Sequence, residues 1–114
     1  MKKAAIVVGK PNAGKSTTIR CFKGMVTIET YHIFTLNGKR GYILLSSFEE
    51  GKRDIQSTIK KLLNYDLLVF ACQGLKLTEV HDALKAASFA FKDVTIKSPS
   101  EAPAKALEVL KFLS

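Results

Sequence analysis

Residues 9 to 17 read Gly9-Lys10-Pro11-Asn12-Ala13-Gly14-Lys15-Ser16-Thr17, and their types and spacing suit one task, the gripping of a chain of phosphates. Gly9 and Gly14 bracket four residues, which lets the backbone turn tightly enough for successive N–H groups to converge on one anion. A helix opening at Lys15 would add the positive end of its dipole to that field. Lys15 would then reach the β- and γ-phosphates as a point charge, and the Ser16 hydroxyl would supply one ligand to a small, hard Mg²⁺.

Such a loop works only if a strand delivers it and a helix carries it away. Ala4-Ala5-Ile6-Val7-Val8 is the continuous apolar run of a buried parallel strand, and residues 16–23 read as a helix closed by Gly24. A chance glycine and lysine match in a solvated turn would lack these flanks.

The loop and its flanks resemble the Walker A element of P-loop NTPases. The inner Pro11-Asn12 with Ser16-Thr17 is most similar to the form found in translation-factor-type GTPases. The close match covers about the first twenty residues. It implies nucleotide contacts from Gly9 through Thr17, a catalytic role for Lys15, Ser16 as metal ligand, Mg²⁺ as cofactor, and ATP or GTP as the bound nucleotide.

The chain of 114 residues is expected to form one domain over 1–114, with 46% hydrophobic residues and no low-complexity stretch or repeat. No apolar run approaches the ~18 residues of a membrane span. Met1-Lys2-Lys3 is followed by too short an apolar run for a secretory leader, so a cytoplasmic protein is expected. Cys21 and Cys72 read as packed thiols. His32 and His81 stand without a visible partner in the sequence. The net charge is +8, and Lys39-Arg40, Lys52-Arg53 and Lys60-Lys61 form three basic pairs that could gather into a patch for nucleic acid or another polyanion. A solvated lysine-rich surface accounts for the same residues.

The remaining pattern predicts the scaffold. Residues 25–36 alternate as one strand with Val26, Ile28, Phe34 and Leu36 on one side, Asn37-Gly38 makes a tight hairpin, and residues 42–45 return. Asp54 caps a helix that turns Ile55, Ile59, Leu62 and Leu63 inward. Residues 66–72 form a buried strand, with Asp66 a structural cap at the far end of the sheet. Thr78 caps the next helix, which turns Val80, Leu84 and Ala87 inward. Residues 94–96 make a short last strand, and a closing helix buries Ala106, Val109, Leu110 and Leu113. Ser98 to Glu101 spell a capping box, although Pro103 suggests a start there instead. The expected fold is α/β, a three-layer P-loop NTPase fold with a mostly parallel five-stranded sheet and one antiparallel edge strand. It is similar to a Ras-like GTPase core cut short after its fifth strand.

Two family motifs are not matched. Where an Asp-x-x-Gly carboxylate is expected after the third strand, the chain has Ser46-Ser47-Phe48-Glu49-Glu50-Gly51. Glu50 and Glu49 are therefore the candidates to hold a metal-bound water or orient the attacking one. Where a guanine-reading Asn-Lys-x-Asp is expected, it has Lys97-Ser98-Pro99-Ser100, with no carboxylate for the guanine N–H donors. ATP is favoured over GTP by elimination. The expected function is a nucleoside-triphosphate-binding protein, a Mg-dependent NTPase with slow or partner-assisted hydrolysis. The alternatives are a small nucleoside or nucleotide kinase, for which Arg20, Arg40 and Arg53 are a thin supply of lid arginines, and a non-catalytic, nucleotide-dependent interaction module.

Overall fold

Strand β1 (Lys2–Val8) runs inside the sheet because it is apolar on both faces: Ala4 and Ile6 pack to one side, Ala5 and Val7 to the other. The computed structural model describes residues 2–44 and 54–114. After β1 come α1 (Lys15–Lys23), β2 (Thr27–Ile28), β3 (Ile33–Leu36), β4 (Lys39–Leu44), α2 (Ile55–Lys61), β5 (Leu67–Cys72), α3 (Leu77–Ala86), β6 (Phe89–Thr95), a 3₁₀ turn (Pro99–Glu101) and α4 (Ala102–Leu113). The sheet has six strands in the order β2-β3-β4-β5-β1-β6. Strands β4, β5, β1 and β6 are parallel, while β2, β3 and β4 form an antiparallel arm. Ile19 and Phe22 of α1 and Ala106, Val109 and Leu113 of α4 close one face; Ile55 and Ile59 of α2 and Val80 and Leu84 of α3 close the other. Among the described residues no helix is long and apolar enough to cross a membrane.

The five-stranded P-loop NTPase sheet with one antiparallel edge strand is not what forms. Residues 25–36 are not one strand: Glu29 N–H donates to the Ile33 carbonyl at 2.8 Å and Ile33 N–H to that of Thr30 at 3.2 Å, so β2 folds back on β3. Ile28 is thereby left exposed on an edge strand instead of facing inward. Alternation alone cannot register a reversal, because both halves keep period two.

Within the sheet, β5 lies between β4 and β1, with Val8 opposite Cys72. The strand end that faces the loop is therefore that of Cys72, and β4 stands one strand, about 4.8 Å, further out.

Several local expectations meet their physical counterparts. Asn37 and Gly38 adopt the positive φ values, 53° and 79°, that the two-residue hairpin needs. Ser57 N–H donates to the Asp54 carboxylate at 2.8 Å, capping α2. Leu63, expected inward, is exposed just past α2. Thr78 is not the cap of α3, whose N-cap is Lys76. Strand β6 is seven residues long, not three, since an edge strand tolerates the charged Lys92 and Asp93 that break its apolar run. Both readings of the last helix hold together: Ser98 to Glu101 close a capping box around the 3₁₀ turn, and Pro103 sits at the second position of α4, where an N–H has no helical partner.

Candidate functional site

The structure brings residues 9–17 together as one loop between the end of β1 and the start of α1. Gly9 N–H donates to the Cys72 carbonyl and Ile96 N–H to that of Val8, so the loop leaves the sheet between two hydrogen-bonded neighbours. A turn from Ala13 N–H to the Lys10 carbonyl at 3.1 Å reverses the chain. Asn12 (φ 66°) and Gly14 (φ 103°) take left-handed conformations there, and Asn is among the few side chains that adopt one readily.

Gly14 caps α1 without a side chain, and the amides that follow open the helix with no carbonyl beneath them. Lys15 is 7% exposed, and its Nζ donates to the carbonyl oxygens of Gly9 and Lys10, each at 2.9 Å, so the ammonium is held across the loop. Ser16 and Thr17 are exposed in the first helical turn. Thr18 is fully buried and its Oγ1 donates to the Gly14 carbonyl at 2.9 Å, fastening the loop from behind. Sequence reasoning passed over Thr18, although a polar residue on an otherwise apolar helix face was its signal.

The glycines also serve packing. A side-chain carbon on Gly9 would lie 2.8 Å from the Ile96 carbonyl oxygen, and one on Gly14 would lie 2.7 Å from the Pro99 α-carbon. The chain leaving β6 and the 3₁₀ turn thus form one wall of the loop.

A cleft of about 470 Å³ adjoins the loop, lined by Gly9, Lys10, Ala13, Gln73, Thr95 and Lys97 among others. Gln73 and Thr95 were not singled out from the sequence, whereas Lys97 opens the stretch at the expected base-reading position. Gln73 is the first polar residue after the buried run of β5, a usable signal once β5 is known to be the neighbour of β1. Among the described residues no carboxylate lines this cleft. Glu101 is committed elsewhere: it accepts N–H bonds from Lys97 at 2.8 Å and Ser98 at 3.3 Å, which hold its carboxyl below the usual range.

Glu49, Glu50, Ser46, Ser47, Lys52 and Arg53 lie outside the described residues. Asp66 stands at the entry of β5, where its carbonyl accepts Lys3 N–H, at the end of the parallel strands opposite the loop. The two histidines have partners after all. His81 on α3 lies 2.8 Å from the Asp93 carboxylate and stacks on Phe91, tying that helix to β6. His32 Nδ1 lies 3.0 Å from the Ile43 carbonyl. Among the described residues no group of three His, Cys, Asp or Glu side chains could hold a metal.

No family model matches the sequence, and no curated protein matches it. Among solved structures, the fold is similar to that of a de novo designed protein described as having a PFK fold, determined by solution NMR, with a TM-score of 0.58 and 19% identity. The match covers 99% of this chain and 91% of that one. At that identity the likeness speaks for the fold alone. It completes the correction above: the architecture is a six-stranded mixed sheet like that of a designed α/β protein, in place of the expected P-loop NTPase core.

Proposed function

We propose that the chain binds a nucleoside triphosphate with Mg²⁺ at residues 9–17. The observation that carries this reading is the loop itself: a buried strand ends, the backbone turns through a left-handed Gly14, and Lys15 Nζ lies across the loop where a helix opens its unpaired amides. The exposed Ser16 hydroxyl is a hard oxygen donor of the kind Mg²⁺ takes.

ATP binds at least as well as GTP in this reading. Glu101, the carboxylate nearest in sequence to the expected guanine-reading position, is occupied by its own backbone. Hydrolysis is slow or completed by a partner, in keeping with a cleft lined by lysines and amide or hydroxyl groups.

Calorimetric titration with ATP and GTP, each with and without Mg²⁺, tests the reading. Saturable, Mg²⁺-enhanced binding of ATP is expected. No heat with either nucleotide at millimolar concentration would overturn it, and a tenfold preference for GTP, about 1.4 kcal/mol, would overturn the base assignment.

A further inference from the structure

A row of aromatic rings and cations runs across the antiparallel arm and involves none of residues 9–17. Tyr31 stands edge-on to His32 at 4.8 Å, His32 stacks on Tyr42 at 5.4 Å with 15° between the planes, and Tyr42 meets Tyr65 at 5.3 Å. Cations close both ends: Lys23 Nζ lies 4.3 Å over the Tyr31 ring and the Arg40 guanidinium 5.7 Å over that of Tyr65. Lys61 borders the groove that Tyr42 and Tyr65 also line.

The row is assembled from α1, the turn before β3, β4, the end of α2 and the approach to β5. Within the two described basic pairs, Lys39-Arg40 and Lys60-Lys61, the members part from one another. Adjacent residues of a strand point to opposite faces, so Arg40 parts from Lys39. Lys60 borders a groove with Asp82 of α3, while Lys61 borders the separate groove lined by Tyr42.

Burial accounts for only part of this arrangement: Tyr42 and Tyr65 pack partly against the core, but Tyr31 is 64% exposed and His32 is only partly covered. The described acidic groups nearby are already engaged: Glu29 lies 3.5 Å from Arg40, and the Asp54 carboxylate accepts Ser57 N–H. The chain carries a net charge of +8.

We propose that this row binds single-stranded nucleic acid, with unpaired bases stacking on the exposed ring of Tyr31 and on the uncovered part of Tyr65, and phosphates lying along Lys23, Arg40 and Lys61. Rings add little to the capture of a duplex, whose bases are already stacked on one another, whereas every unpaired base offers a face to an aromatic side chain. The complementary charge supplies a salt-dependent share of the affinity. This inference does not rest on the triphosphate reading.

The test is fluorescence anisotropy of the full chain with labelled oligothymidylate, oligouridylate and a DNA duplex, without nucleotide. Single strands are expected to bind with a dissociation constant below about 100 µM at low salt, more tightly than the duplex. Tyr31→Ala should weaken single-strand binding about tenfold and Tyr31→Phe should leave it unchanged. Arg40→Ala should weaken it more than Lys111→Ala, which removes the same charge from α4. Tyr31 is exposed, so its variants keep the fold, and circular dichroism checks this. Absence of single-strand binding, equal or tighter binding of the duplex, or equal effects of Tyr31→Ala and Tyr31→Phe would overturn the proposal.

Discussion

The α-carbon of Pro99 lies against Gly14, so close that a side-chain carbon on Gly14 would stand 2.7 Å from it. The turn that leads into α4 is therefore packed against the loop that leads into α1, and the two helices lie side by side on one face of the sheet.

Gly14→Ala tests this packing. The substituted residue would meet Pro99 and would also have to hold a φ of 103°, which a side chain disfavours. We expect a loss of at least about 1 kcal/mol of stability in urea denaturation, with triphosphate binding weakened alongside. An unchanged urea midpoint would show that the loop relaxes freely away from Pro99.

Lys15→Ala removes the ammonium that the Gly9 and Lys10 carbonyls hold over the loop. Triphosphate affinity should fall about 10- to 100-fold, the worth of one charge-assisted contact, while the circular dichroism spectrum is retained. The same dissociation constant for variant and wild type would remove the loop from the binding site.

Gly41→Ala probes the core beneath β4. A side-chain carbon there would fall 2.2 Å from the Phe34 ring, which stands edge-on to Phe22 at 5.2 Å. The ring is fully buried, so overpacking should cost about 1–3 kcal/mol. Wild-type stability in this variant would mean that Phe34 repacks without strain.

Acid stability follows from Glu101. The N–H groups of Lys97 and then Ser98 lower its carboxyl below the ordinary value of 4.5. A folded-state value below the unfolded one stabilises the protein above the ordinary value, and that contribution is lost as pH falls through the folded one. Asp54 behaves alike, its carboxyl lowered first by the hydrogen bond from Ser57. Urea midpoints measured from about pH 6 down to pH 2 should therefore fall less steeply for Glu101→Gln than for wild type, and less steeply still when Asp54→Asn is added. Coincident curves for all three proteins would show that these caps do not contribute.

Local chemistry was legible in the sequence wherever a short stretch of chain dictates its own conformation. The apolar run before Gly9, the left-handed pair Asn37-Gly38, the Asp54 cap and the box from Ser98 to Glu101 each depend on neighbours within a few residues, and each stands in the structure as read.

What depended on strand order was not legible. The reversal at Glu29 that adds β2, the insertion of β5 between β4 and β1, and hence the identity of Gln73 as the residue beside the loop follow from which surfaces bury one another across the sheet. His81 with Asp93, and the row from Tyr31 to Tyr65, join residues separated by 12 and 34 positions, brought together only by tertiary packing. Periodicity along the chain says which face of an element is apolar. It carries no information on which element will cover that face, because any apolar surface of suitable shape satisfies the hydrophobic effect, and the choice is made by the packing of the whole.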